Sequence, residues 1–263
     1  MPSPRILILR APGTNCDRET AFAFEQAGGK PEFVHVRMLL EQPQLLGDFQ
    51  ILCFPGGFSY GDDIAAGRIL ANQIRHHLRE SIEEFKSAGK LILGICNGFQ
   101  ILIKSGVLLR DDLHGQVATL TLNESGKYED RWVNLASIPA TPCVFLQGIE
   151  SMYLPVAHAE GKFVVRETSI FESLRKQGQL ALAYAASAGE KANLEKTVPY
   201  PAMPSGSQGN IAGVCDETGR VFGLMPHPER YIDRTHHPRW TRDEGRDPGD
   251  GFRIFQNAVG YFK

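Results

Sequence analysis

In the first hundred residues, three short apolar runs are each closed by a tight turn and separated by amphipathic stretches. No other feature constrains the fold as much. Arg5–Arg10 ends at Ala11-Pro12-Gly13, residues 49–54 end at Pro55-Gly56-Gly57, and residues 90–95 lead directly into Cys96-Asn97-Gly98. Continuous apolar runs without alternation belong to strands buried on both faces, as in a parallel sheet between helical layers. Residues 15–29 read as a helix, with Asn15 or Asp17 as N-cap and Gly28-Gly29 as the stop. Residues 32–39 read as a strand. Residues 63–88 read as one long helix, because Leu70, Ile74, Leu78, Ile82 and Phe85 recur at helical spacing before Gly89. A further helix starts at about Asn97 and carries Phe99, Leu102, Ile103 and Val107 on one side.

The second half is richer in strands. Residues 116–122, 132–138, 163–166, 180–186, Ile211–Cys215 and 221–225 each read as one. Residues 168–177 and 250–262 read as helices, and the polar Gly/Pro/Ser-rich stretch 188–208 as a surface loop. The expected architecture is α/β in a single domain over residues 1–263, with a central, mostly parallel sheet flanked by helices and additional antiparallel strands. A chain of 263 residues, 42% hydrophobic and 22% charged, has ample material for that core. The same composition excludes a disordered tail, a collagen-like chain and a disulfide mini-protein.

With 28 basic against 30 acidic residues, the formal charge of −2 gives no footprint for nucleic acid or membrane. The longest uncharged stretch, 132–149, contains Asn134, Pro139, Pro142 and Gln147 and is no membrane span. Ile6-Leu7-Ile8-Leu9 is too short for a signal-peptide core, so a cytoplasmic location is expected. Five scattered cysteines without a CxxC read as reduced thiols. His76-His77 and His236-His237 read as solvated pairs rather than metal ligands, and no metal site is expected.

The chemistry concentrates at Gly94-Ile95-Cys96-Asn97-Gly98, a G-x-C-x-G turn between a strand and a helix. Such a turn forces its central residue into a strained backbone conformation and leaves no room for side chains at the flanks. Cys96 then stands at a helix N-terminus, where partial positive charge favours a thiolate. A thiolate nucleophile needs a base that also protonates the leaving group. His227, fixed between Pro226 and Pro228, is the candidate, and Glu229 two residues on can orient its ring. The Gly56-Gly57 turn and the N–H of Asn97 are candidates for an oxyanion hole. Cys16 also lies near a helix start, but no base is placed for it by sequence, so it reads as a packing residue; Cys53 reads as core.

Leu93-Gly94-Ile95-Cys96-Asn97-Gly98-Phe99-Gln100 together with Pro226-His227-Pro228-Glu229 resembles the class I (triad-type) glutamine amidotransferases. Pro12 to Asp17, the PGGFSYGD run from Pro55 to Asp62, and Pro155 to Phe163 with its HxEG segment narrow the resemblance to the glutaminase subunits of phosphoribosylformylglycinamidine synthase. The matching segments run from near residue 5 to near 262. The resemblance implies a flavodoxin-like glutamine amidotransferase domain. It implies Cys96 as nucleophile, His227 as base and Glu229 as orienter, with Gly57 and Asn97 in the oxyanion hole. It places Phe58 and Gln100 around the substrate, and His158 and Glu160 at the substrate pocket or the partner interface. It also implies hydrolysis of glutamine to glutamate and ammonia through a cysteine thioester. The ammonia would pass to a large synthetase subunit that converts formylglycinamide ribonucleotide to its amidine in purine biosynthesis. A small third subunit, and ATP and magnesium on the synthetase, belong to that picture. The chain itself has no G-x-x-x-x-G-K-[ST] and no G-x-G-x-x-G after a strand.

Three segments depart from the family pattern: Ala159 stands in place of a glycine, Met203 to Ser207 only partly matches an Asn-Pro-Asn-Gly-Ser run, and 231–249 is long for a small subunit. A stand-alone hydrolase of the intracellular-peptidase superfamily would place its histidine directly after the nucleophile, where Asn97 stands. A non-catalytic assembly subunit would be free to lose Cys, His or Glu, and all three are present.

Overall fold

The structure, a computed structural model, describes residues 3–242 and 247–263. The apolar runs become β1 (Arg5–Arg10), β3 (Ile51–Phe54) and β4 (Leu91–Ile95), which lie side by side in parallel register. Between β1 and β3 come α1 (Asp17–Gln26), β2 (Lys30–His35) and α2 (Val36–Glu41); β2 pairs in parallel with the outer edge of β1. The expected strand 32–39 is therefore divided. His35 Nδ1 accepts the Arg37 N–H at 3.2 Å, and this side-chain cap starts a helix at Val36 where the apolar run suggested more strand.

The long helix expected over 63–88 is also divided, into α3 (Arg68–His77) and α4 (Arg79–Ser87). Leu78 leaves helical geometry (φ −119°, ψ 3°), yet Leu78 N–H still reaches Ile74 O at 2.9 Å and Ile82 N–H reaches Leu78 O at 2.9 Å. The stripe Leu70, Ile74, Leu78, Ile82 and Phe85 is consequently buried without a break in direction strong enough to expose any member. The start moves to Arg68 because Gly67 takes a left-handed φ of 71° and donates its N–H to Asp62 Oδ1.

After β4 come α5 (Asn97–Ser105), β5 (Ala118–Thr121), β6 (Glu129–Ser137), β7 (Ser151–His158), β8 (Lys162–Val165), α6 (Thr168–Lys176), β9 (Leu180–Ala185), β10 (Ile211–Cys215), β11 (Val221–Leu224) and α7 (Phe252–Gly260). The main sheet has nine strands among the described residues, in the order β2-β1-β3-β4-β11-β10-β9-β6-β7. Pairing is parallel from β2 to β11 and antiparallel from β11 to β7. Strands β5 and β8 form a separate antiparallel pair. Every residue of β3, β4 and β11 is buried, which requires cover on both faces of the sheet. Phe24 of α1 and Phe255 of α7 meet edge to face at 4.9 Å, so the last helix closes against the first.

The sequence reading contains no strand at 151–158. Pro155 argues against one, but β7 is an edge strand, where a missing N–H is tolerated. The stretch 188–208 has no strand or helix before a short turn at Gln208, but it is not all surface: Val198, Met203, Ser205 and Ser207 are buried. Part of 231–249 is fastened to the sheet. The His237 ring lies 5.0 Å from Trp132 of β6, 5.8 Å from Tyr153 of β7 and 5.7 Å from Tyr231. Within that segment, 243–246 lie outside the described residues. No helix among the described residues is long and apolar enough to cross a membrane.

Candidate active site

The site is assembled by one strand pairing. β4 and β11 run parallel, with Gly94 opposite Gly223 and Ile95 opposite Leu224, and Cys96 N–H continues the ladder to Leu224 O at 2.8 Å. Residues leaving the carboxyl ends of these neighbours emerge beside one another: Cys96 from β4, and His227 from β11 by way of Met225-Pro226.

Cys96 adopts φ 50° and ψ −104° between β4 and α5. A non-glycine residue there is strained and persists only because its surroundings hold it. The flanking glycines are required by packing rather than by their own φ. A Cβ on Gly98 would overlap the Phe54 carbonyl of β3, and one on Gly94 would stand 2.8 Å from the Gly98 carbonyl carbon and oxygen. Helix α5 thus starts pressed against two strands, with the thiol of Cys96 at its N-terminal end. Cys96 Sγ lies 3.7 Å from Ala157 O at the end of β7.

His227 is buried, and its N–H is anchored to Pro155 O at 2.8 Å. Its Nδ1 lies 2.6 Å from Glu229 Oε1, also buried. Burial opposes charge on this ring. The Glu229 carboxylate, followed by the charge of Cys96, nevertheless holds its pKa well above the ordinary imidazole value. The structure therefore brings Cys96, His227 and Glu229 into one interacting group.

Gly57 has φ 145°, and a Cβ there would stand 2.8 Å from Asn15 N and Gly13 O, so only glycine fits this turn. The backbone N–H groups of Gly57 and Asn97 have no acceptor among the described residues. The Asn97 side chain ties the two donor loops together: Oδ1 accepts the Ser59 N–H at 3.2 Å, and Nδ2 donates to Asp62 Oδ1 at 3.2 Å and to Gln100 Oε1 at 2.9 Å.

Residues 3–262 match the model of the CobB/CobQ-like glutamine amidotransferase domain. The chain belongs to the CobB/CobQ-like glutamine amidotransferase family. It is 49% identical over 259 residues to the phosphoribosylformylglycinamidine synthase subunit PurQ of Dehalococcoides mccartyi, covering 98% of each chain. It is 40% identical to the protein of the same name from Methanococcus maripaludis, covering 98% of this chain and 97% of that one. Among solved structures, a chain of PurLQS from Thermotoga maritima superposes with a TM-score of 0.73 at 32% identity, over 99% of this chain and all of the other.

The other sequence candidates in this amidotransferase separate into two groups. Phe58 is 44% exposed and stacks on Tyr128 at 6.4 Å, forming an aromatic rim at the mouth of the loop. Gln100, His158 and Glu160 are engaged by the protein. Gln100 Nε2 donates to Glu160 O at 2.7 Å while its Oε1 is taken by Asn97. The Glu160 carboxylate turns to the Ala66 N–H at 3.1 Å and to Lys104 Nζ at 3.3 Å, joining the loop after β7 to the approach of α3. His158 is buried with Nδ1 3.0 Å from Asn123 Oδ1, which also accepts the Gly161 N–H at 3.1 Å. That oxygen can only accept, so Nδ1 carries the proton. Burial first, then the charge of His227, pushes His158 down to about 3, and its ring stays neutral.

Cys16 corrects the sequence reading most sharply. The expectation was that no base stands near it. In the amidotransferase fold, its sulfur, a Glu19 oxygen, a ring nitrogen of His227 and a Glu229 oxygen lie within 4.8 Å of one another. Arg230 Nη2 donates to Cys16 Sγ at 3.2 Å and Arg230 Nε to Glu19 Oε1 at 2.9 Å. Spacing could not reveal this, because Cys16 and Glu19 begin α1 while His227 follows the last strand. The one available signal was the Pro12 to Asp17 segment, which names a turn but not its neighbour.

Proposed function

We infer that this chain is the glutaminase subunit of phosphoribosylformylglycinamidine synthase, and that Cys96, His227 and Glu229 carry its chemistry. Family membership and the PurQ relatives support the enzyme class and the purine-biosynthetic role. The observation that carries the residue roles is Cys96 at positive φ beside a buried His227 whose far nitrogen is held by Glu229.

The imidazolium favoured by Glu229 pairs with a Cys96 thiolate. The sulfur attacks the side-chain amide carbon of glutamine, forming the S–C bond as the carbonyl π electrons move to oxygen. The N–H groups of Gly57 and Asn97 receive that oxyanion. The C–N bond then breaks, and His227 passes its proton to the departing ammonia. Water attacks the remaining thioester with His227 as base, glutamate leaves, and the thiolate returns. Phe58 shapes the mouth of the pocket. Gln100 and Glu160 hold the loop after β7 against the elbow, and His158 supports that loop from below.

The ammonia passes to a synthetase subunit of the PurL kind, with a small PurS-type subunit completing the assembly, in keeping with the PurLQS structure. The ATP and magnesium for amidine formation reside on the synthetase, and the complex works in the cytoplasm. The test is the complex reconstituted with Cys96→Ala. Glutamine-dependent synthesis should disappear while synthesis from added ammonium salt persists. Equal loss of both would overturn the division of labour.

A further inference from the structure

Cys16, Glu19, His227 and Glu229 form a donor set of one thiol, one imidazole and two carboxylates whose ligand atoms lie within 4.8 Å of one another. Zinc takes these donors. Bonds of about 2.0–2.3 Å in tetrahedral geometry place ligand atoms roughly 3.3–3.8 Å apart, so the longest edge of the cluster needs to close by about 1 Å. Gly56 permits the approach: a Cβ there would stand 2.8 Å from His227 Cε1 and 3.1 Å from Cys16 Sγ.

Two further observations point to a ligand. Glu229 Oε2 is buried and has no hydrogen-bond partner among the described residues. A cation already occupies the outer side of the cluster, since the Arg230 guanidinium donates to both Cys16 and Glu19. That cation has somewhere to go. The Arg230 and Glu19 side chains are 36% and 39% exposed, whereas Cys16, His227 and Glu229 are buried beneath them.

We propose that this cluster is an inhibitory site for zinc, entered where Arg230 swings into solvent. The ion bonds to Cys16 Sγ, Glu19 and His227, the thiol proton and one proton of the imidazolium pass to solvent, and the two Arg230 hydrogen bonds are exchanged for water. The ring of His227 then serves the metal instead of Cys96, and glutamine hydrolysis stops. The inhibitory part rests on the reading of His227 as the base.

The test uses the full chain titrated with Co²⁺, followed by thiolate-to-metal absorption, with Zn²⁺ in competition. Zn²⁺ inhibition of glutaminase activity is measured in parallel on the reconstituted complex. The absorption band should appear in the native chain and in Cys96→Ala and be lost in Cys16→Ala. Glu19→Gln, at a half-exposed position that keeps the fold, should weaken Zn²⁺ about tenfold or more. Arg230→Gln should tighten it by removing the competing cation, a gain that no loss of folding can imitate. A band lost in Cys96→Ala and kept in Cys16→Ala, or no band in the native chain, overturns the site and leaves the reading of His227 standing. Unchanged Zn²⁺ affinity in Glu19→Gln also overturns it. The expected binding pattern with undiminished glutamine hydrolysis overturns the inhibitory role and the reading of His227 with it.

Discussion

Glu229→Gln isolates the part of the site that acts through charge. The native carboxylate lies 2.6 Å from His227 Nδ1, and both side chains are buried, so little water screens the pair. With an effective dielectric constant of about 20, two unit charges at that separation attract by roughly 6 kcal/mol. Glutamine keeps the shape and can still accept the Nδ1 hydrogen bond, but the charge is gone. Most of that attraction stabilises the imidazolium, and it is needed both when the thiolate forms and when ammonia is protonated. The expected loss in kcat is about 10³–10⁴-fold, or roughly 4–5.5 kcal/mol, comparable to neutralising the third member of other triads. The assay is glutamate release by the reconstituted complex across pH. In the native protein His227 is protonated up to a raised pKa, so activity that needs the imidazolium persists as pH rises and fails on passing that pKa. Glu229→Gln lowers the value, and the alkaline limb of kcat/KM must move to lower pH. A loss under about tenfold, or an alkaline limb that stays in place, would refute the electrostatic role assigned from this geometry.

Two other outcomes follow from packing and burial. Gly98→Ala forces a methyl group into the Phe54 carbonyl and should destabilise the chain by about 3 kcal/mol in urea unfolding, while Gly89→Ala, at φ 75° with open space around it, should lose only about 1 kcal/mol. Glu160→Gln removes the carboxylate paired with Lys104, whose pKa burial already lowers and whose Nζ keeps its bond to Ala66 O, and should cost about 2 kcal/mol at neutral pH. Because the unfolded chain then binds the lysine proton more tightly than the folded one, stability should recover as pH rises toward the ordinary lysine pKa; denaturation midpoints at two pH values check the sign.

The parallel half of the sheet was legible because each strand is a continuous apolar run ended by glycine or proline, and the G-x-C-x-G turn marked its own place at the end of β4. The pairing of His227 with Glu229 was legible from two flanking prolines and an acid two residues away. What the sequence hid was of two kinds. Local geometry overrode periodicity: a side-chain cap from His35 ends β2, and the backbone angles of Leu78 divide α3 from α4. Tertiary neighbours overrode spacing: Cys16 looked unaccompanied because its companions lie at the other end of the chain. Gln100 and Glu160 have neighbours that spacing did not show. Their motifs were found, but the side chains face each other's loops and Lys104.

The single ladder between β4 and β11 carries a structural freedom. Cys96 and His227 are far apart along the chain, yet adjacent strands fix their separation, and from the excursion between them the end of β7 adds Pro155 O to the His227 N–H and Ala157 O beside Cys96 Sγ. Segments that do not touch this edge can be lengthened or trimmed there, and Cys96 and His227 stay in step as long as four residues of one strand remain zipped to four of the other and β7 keeps its place. Adaptation to a new assembly and preservation of the hydrolytic centre are therefore separable tasks in this architecture.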